Sequence, residues 1–382
     1  MRGFYLGGYI ISDHTFATEA NVNYDLLKEL SNLGISGNVV AGNVEINEPI
    51  ENFEFSGILS PMKKRNNIYQ VGYCTTLKYL YKSYRHVKRA GLRDFDFIHR
   101  MNPFKISRSF DIFALEKSIL KHKIPLICGP IYPLWYDELN NLKTNPILKK
   151  FFSITMKMSS AIIIYTPIVK TLIKKFVPDI DDSKIHVVTP GINIGNLEIN
   201  KKHGDSNIIF IGKLYKRRNL DIAIKAFEKY KRNGNDCKFI IIGDGPERSN
   251  LESLATKLNL KESIEFKGFI PRDELYRYYE NAALSVDLGM GQPNRVFFES
   301  LLSSTPVLVP QSRYTRGLLI DKQNCLTIKS LDVDSVAKKI EFSLKNPKLL
   351  SKITKRGKSD IKENWNIKKS AKQIKEIYES VI

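Results

Sequence analysis

Short apolar runs alternate with amphipathic stretches along all 382 residues of this chain, and the pattern runs through twice. Strands flanked by helices around parallel sheets leave this signature, because a strand covered on both faces reads as a continuous apolar run. In the first half GFYLGGYII, NVVAGN, FDFIH, IPLICGPIY, SAIIIYT and IHVVTPG read as strands, with NYDLLKELSNLG and ALEKSILKHK as helices between them. Gly34 ends the first of these helices. The second half restarts at NIIFIGKL and continues through CKFIIIGDG, SIEFKGF, LSVDLG and TPVLVP. Helical patterns separate these strands, as in LDIAIKAFEKYKRNG, SNLESLATKLNL, DELYRYYENA and RVFFESLLSS. The connector from Pro190 to Asn200 breaks both periods and is the expected hinge.

The expected architecture is α/β, with two Rossmann-like domains. Residues 1–195 form the first, residues 196–365 the second, and residues 366–382 a C-terminal helix returning to the first. In open parallel sheets ligands bind beyond the carboxyl ends of the strands, so the turns after each strand carry the functional information. With two such domains the expected site is a cleft between them.

Charge narrows the ligand. The chain carries a formal +20, which suits nucleic acid, an anionic membrane surface or phosphorylated substrates. Its distribution is uneven. Residues 1–59 hold two basic and eight acidic side chains, a net −6, whereas residues 60–124 hold 15 basic and four acidic, a net +11. In TTLKYLYKSYRHVKRAG, helical spacing sets Lys78, Lys82, Arg85 and Arg89 on one face, with Leu77, Leu80, Tyr84 and Val87 on the other. Such a helix suits an anionic bilayer, with an ordinary surface position on its own sheet as the alternative.

Cys74, Cys128, Cys237 and Cys325 stand far apart, without a C-x-x-C pair, and read as reduced thiols. The six histidines show no metal-ligand spacing. Asp94 and Asp96 spell Asp-x-Asp but more simply open the strand FDFIH, and Asp181-Asp182 reads as a solvated turn. His99 ends that strand as a core or cleft residue. The N-terminus lacks a secretory apolar core, and no later stretch is long and apolar enough to span a bilayer, so a cytoplasmic chain is expected.

Three strand ends in the second half carry chemistry. After NIIFI come Gly212, Lys213 and Leu214, then Lys216, Arg217 and Arg218 before a helix. A glycine there admits an anion to the backbone, and clustered cations with a helix start favour phosphate. The GDGP turn, Gly243 to Pro246, lacks the third glycine of a dinucleotide fingerprint and reads as a tight turn. In PNRVFFESLL, Glu299 interrupts an apolar run, where it either points outward or accepts hydrogen bonds from ligand hydroxyls.

From Ile208 to Pro310 these elements, in order, resemble the donor domain of GT-B glycosyltransferases of family four, or group one. They are the Gly212-Lys213-Leu214 turn with its cations, GDGP, FKGFIPRDELYRYYENA and PNRVFFESLLSSTPVLV. FDFIHRMNP, IPLICGPIY and KIHVVTPGIN in the first half resemble the matching strand ends. The resemblance implies a metal-independent, retaining transfer of sugar from a nucleotide diphosphate sugar to a glycan or lipid-linked acceptor. No cofactor beyond the donor is expected, nor any nucleic-acid partner, and peripheral contact with the inner membrane face is. By resemblance Lys213 and Arg218 stabilise the leaving diphosphate, assisted by Arg217, while Glu299 holds the ribose. The backbone at Ile270 meets the base, and Gly212, Gly291, Asn294 and Arg295 complete donor contacts. Gly8, with Gly7, follows the first strand and lets the first domain approach the diphosphate.

Two positions depart from the family pattern. Gly291 stands where many members carry a first glutamate, and Pro130, Ile131 and Tyr132 replace a frequent histidine. A catalytically inactive sugar-nucleotide or glycan-binding subunit is the alternative they leave open.

Overall fold

The computed structural model describes residues 1–13, 18–59, 64–65, 68–69, 73–101, 119, 122–131, 143, 145–188, 191, 193, 207–271, 274–289, 295–312 and 318–382. The chain divides into two compact units, Met1–Asn193 with Trp365–Ile382, and Ile194–Asn364.

In the first unit, β1 (Arg2–Ser12), β2 (Ser36–Glu45), β3 (Phe53–Gly57), β6 (Phe97–Arg100), β7 (Leu126–Ile131), β8 (Ala161–Ile164) and β9 (Ile185–Val187) form one sheet. Its order is β3-β2-β1-β6-β7-β8-β9, and every pairing is parallel. A separate antiparallel pair joins β4 (Lys64–Arg65) to β5 (Ile68–Tyr69). Four helices are described before the second unit: α1 (Thr18–Asn32), α2 (Tyr73–Arg89), α3 (Pro146–Met158) and α4 (Pro167–Phe176). Helix α1 stops because Gly34 takes φ +80°, which lets the Ile35 amide donate back to the Leu30 carbonyl at 3.0 Å. Central strands β6, β7 and β8 are buried along their whole length, which accounts for the apolar sequence of β7 and β8, while β6 buries His99 and Arg100 at its carboxyl end.

The second unit holds β10 (Asn207–Ile211), β11 (Phe239–Ile242), β12 (Ile264–Gly268), β13 (Ala282–Val286), β14 (Val307–Pro310) and β15 (Leu326–Ile328). They form a parallel sheet ordered β12-β11-β10-β13-β14-β15. Its helices are α5 (Leu220–Arg232), α6 (Arg248–Lys257), α7 (Tyr276–Glu280), α8 (Arg295–Leu302), α9 (Val333–Leu344) and α10 (Pro347–Asn364). One core packs Phe210, Phe227, Phe239 and Ile353 together, and a second joins Ile211, Ile242, Ile270 and Tyr279. The strand order reverses between β10 and β13, so the site expected of a doubly wound sheet lies beyond those two strand ends.

After Trp365 the chain re-enters the first unit as α11 (Ile367–Val381). Asn366 caps it by accepting from the Lys368 amide at 2.8 Å, and Ile367, Ala371, Ile374 and Tyr378 bury one face in that unit's core. Gly191 makes this packing possible, because a Cβ there would stand 2.4 Å from the Ile367 Cα. Most of the expected hinge, Pro190 to Asn200, lies outside the described residues, as does most of ALEKSILKHK.

Candidate active site

Three adjacent strands of the second unit end in glycine. Gly212, Gly243 and Gly268 follow or close β10, β11 and β12 with φ of +151°, +132° and +67°, where residues with a Cβ are strained. The Gly212 amide donates to the Ile242 carbonyl at 2.9 Å, and the Gly243 amide to the Gly268 carbonyl at 2.7 Å. A Cβ on Gly243 would lie 1.9 Å from the Gly212 carbonyl oxygen, so only hydrogen fits there. The result is a side-chain-free backbone floor beside the switch point. The GDGP turn is knitted beneath it, with the Leu214 amide donating to the Asp244 carbonyl at 3.0 Å, and it serves as a packing turn.

Over this floor stands Arg218. Lys216–Arg218 forms a single 3-10 turn, and Asn219 takes a left-handed φ of 52° before α5 begins. Arg218 Nη1 lies 3.0 and 2.9 Å from the two Asp287 carboxylate oxygens, with the side chains 21% and 10% exposed. Nη2 of the same group stands 3.4 Å from where a Cβ of Gly212 would be. Asp287, immediately after β13, also accepts from the Gly289 amide at 3.0 Å. The Asn219 amide group donates to the Leu288 carbonyl at 2.8 Å, closing the tie across the switch point. Arg217 is exposed, with its guanidinium 4.7 Å from the Tyr215 ring centre, and Lys213 is half-buried. Lys213, Lys216, Arg217 and Arg218 thus bring four cations to one short segment at this corner, a local field fit for an anion.

Glu299 is buried on α8, where the Tyr279 hydroxyl donates to its Oε2 at 3.3 Å. Thr305 in turn fixes Tyr279 by donating to its carbonyl at 2.8 Å. The Ile270 side chain belongs to the core, so only its backbone is available to a ligand, while neighbouring Phe269 is 43% exposed. Gly291, Asn294 and the Arg295 side chain lie outside the described residues.

The remaining expected residues belong to the first unit. Gly7 and Gly8 do not follow the first strand. β1 continues to Ser12, and the pairing with β2 shifts register between Leu6 and Gly8, a bulge that Gly8 allows with φ +78°. The bulge falls where pairing with β6 ends, at Leu6 opposite Arg100, so it still marks the carboxyl edge of the central sheet.

On α2, Lys78, Lys82, Arg85 and Arg89 are exposed as the spacing predicts, but the apolar face differs. Tyr79, Ser83 and Val87 are buried, whereas Tyr84 is 39% exposed and Tyr81 60%. The Arg85 guanidinium donates to the Tyr81 hydroxyl at 3.2 Å, so aromatic and cationic groups share one surface. The side chains of Leu77 and Leu80 lie outside the described residues.

His99 is fully buried in the core of the first unit. Its Nε2 is 2.8 Å from the Gly129 carbonyl, which only accepts, so Nε2 carries the proton. Nδ1 then accepts from the Tyr378 hydroxyl at 2.6 Å, latching α11 to the sheet. Burial pushes the pKa of His99 down to about 4, although the Gly129 carbonyl favours the protonated ring. Asp94 and Asp96 sit at the opposite, amino end of β6, where Asp96 accepts from the Arg2 amide at 2.7 Å. Among the described residues no three His, Cys, Asp or Glu side chains gather as a metal-holding group, and Cys128, Cys237 and Cys325 are buried thiols outside any disulfide.

Asp287 is the functional residue that sequence reading passes over. Its only signal is a lone carboxylate between an apolar strand and a glycine, across the switch point from an arginine cluster.

Residues 197–360 match the family described as glycosyl transferases group 1. An uncharacterized glycosyltransferase of Methanocaldococcus jannaschii, MJ1607, is 24% identical over 212 residues, 52% of this chain and 54% of that protein. The chain thus spans about half the length of this relative. Over their whole length, two solved structures share the fold. Sucrose-phosphate synthase from Thermosynechococcus elongatus matches with TM-score 0.77 and 15% identity, covering 100% of this chain and 99% of that one. HepE of Anabaena, in complex with UDP, matches with TM-score 0.71 and 15% identity, covering 100% of both. The second unit thus matches the group 1 glycosyl transferase family over residues 197–360, and the chain throughout has the two-sheet GT-B fold of these structures.

Proposed function

We propose that the protein transfers a sugar from a nucleotide diphosphate sugar to an acceptor hydroxyl, in the synthesis of a cell-surface polysaccharide, glycolipid or lipid-linked glycan. One observation carries this reading: Arg218 is fixed by Asp287 over the bare backbone of Gly212, in a field of further cations. A diphosphate lying on that floor meets backbone and guanidinium together. Lys213 and Arg218 stabilise the charge that grows on the leaving nucleoside diphosphate, so the proposed reaction draws on no resident metal or cofactor. Glu299 takes the ribose hydroxyls, and the backbone at Ile270 takes the edge of the base. The transfer proceeds with retention, the donor's own phosphate assisting deprotonation of the acceptor.

The acceptor is assigned to the first unit. The exposed face of α2, with Lys78, Lys82, Arg85 and Arg89 beside Tyr81 and Tyr84, suits contact with an anionic bilayer from the cytoplasmic side. No helix among the described residues is long and apolar enough to cross a membrane.

Release of nucleoside diphosphate from a panel of nucleotide sugars, with glycolipid and glycan acceptors supplied, tests the reaction. Turnover with one donor, lost in Lys213→Ala and Arg218→Ala, is expected. Binding without turnover against every acceptor would instead establish an inactive binding subunit. Sedimentation with phosphatidylglycerol vesicles that is unchanged after neutralising the four α2 cations would remove the membrane assignment.

A further inference from the structure

The glycine floor is bounded by a guanidinium at each end. Arg218 Nη2 stands 3.4 Å from the position a Cβ of Gly212 would take, and Arg248 Nη1 stands 3.1 Å from the corresponding position at Gly268. Gly243 lies between them, bonded through its amide to Gly268 and in contact with the Gly212 carbonyl. The two arginines have opposite surroundings. Arg218 is paired with one carboxylate, that of Asp287, and has Lys213, Lys216 and Arg217 close by in sequence. Arg248, at the start of α6, is held by two: its Nε lies 2.8 Å from Glu252 and its Nη1 3.8 Å from Asp244. Asp244 is itself fixed, accepting from the Gly245 amide at 2.7 Å.

The first end is therefore rich in positive charge and the second in negative charge. A phosphate is drawn to Arg218 and repelled from the neighbourhood of Arg248. What Arg248 offers is a planar fork of N–H donors held by two carboxylates beside Gly268, and the residue that follows Gly268, Phe269, is 43% exposed. An uncharged, planar ring bearing a carbonyl oxygen fits that combination of donors and aromatic surface.

We propose that Arg248 reads the nucleobase of the donor, donating to an exocyclic carbonyl of the kind uracil and guanine present, and so orients the nucleotide with its phosphates toward Arg218. This assignment rests on the nucleotide-sugar reading given above. Adenine has no carbonyl and turns an amino group toward such a donor, so it is disfavoured.

Calorimetric titration of the full chain with UDP, GDP, ADP and inorganic pyrophosphate tests the assignment in wild type, Arg248→Met and Arg248→Lys. The wild type should bind UDP or GDP at least about tenfold more tightly than ADP, the scale of one hydrogen bond to a charged donor. Arg248→Met should lose that margin while ADP and pyrophosphate affinities stay within about twofold. Arg248→Lys keeps a charge between Asp244 and Glu252, preserving the fold, yet lacks the fork and should lose the margin too. Equal weakening of all four ligands, an unchanged margin in both variants, or a wild-type preference for ADP would overturn the role of Arg248. Failure of the wild type to bind any of the diphosphates would refute the donor reading itself, and this assignment with it.

Discussion

His99 makes the first unit sensitive to acid in a way that can be calculated. The ring is fully buried, its pKa is pushed from 6.5 to about 4 by burial, and both nitrogens are engaged, by the Gly129 carbonyl and the Tyr378 hydroxyl. Between those two values the unfolded chain binds a proton that the folded chain does not, so stability falls as pH falls through this window. At about 1.4 kcal/mol per pH unit the full contribution is about 3 kcal/mol, and about 2 kcal/mol of it is lost by roughly pH 5. His99→Gln retains a donor for Gly129 and an acceptor for Tyr378 without a titrating ring. Denaturant unfolding of wild type and variant, followed through the buried Trp365 of the same unit at several pH values from about 7.5 to 5, isolates the term. The wild type should lose about 2 kcal/mol more than the variant across that range. Equal losses in the two proteins would refute the reasoning, because carboxylates common to both would then account for all of the pH dependence.

Asp287→Asn removes the charge that fixes Arg218 and keeps the shape. It should lower stability by about 1–3 kcal/mol and reduce turnover at saturating donor by about tenfold, checked by thermal melting and steady-state kinetics. Gly191→Ala places a Cβ 2.4 Å from the backbone of Ile367 and must push α11 away. A loss of about 1–3 kcal/mol is expected, with faster amide exchange in α11 than in α5 as the local readout.

The doubly wound plan was legible because parallel strands such as Ile208–Ile211 in β10 and Phe239–Ile242 in β11 are continuous apolar runs followed directly by glycine. Of the four edge strands, β9 and β12 were legible and β3 and β15 were not. β3 reads FEFSG, and β15 is three residues long, too short for a period to show. On α2 the spacing placed the cations correctly and Tyr84 wrongly, because which face turns inward depends on the element it packs against. The glycine at position 212 and the cations behind it were visible as a local pattern. The pair that fixes Arg218 was not, since Asp287 is 69 residues away and meets it only through the strand order. The latch between His99 and Tyr378, 279 residues apart, is hidden for the same reason.

Calorimetric titration of nucleoside diphosphates into the wild type and Gly212→Ala addresses the central claim most directly. Position 212 has φ +151°, and a methyl group there would stand 3.4 Å from Arg218 Nη2, intruding where the diphosphate is assigned. Binding of one nucleoside diphosphate by the wild type, weakened at least about tenfold in a folded Gly212→Ala, is the predicted result. No binding by the wild type, or equal affinity in the variant, would contradict a diphosphate seated on this floor.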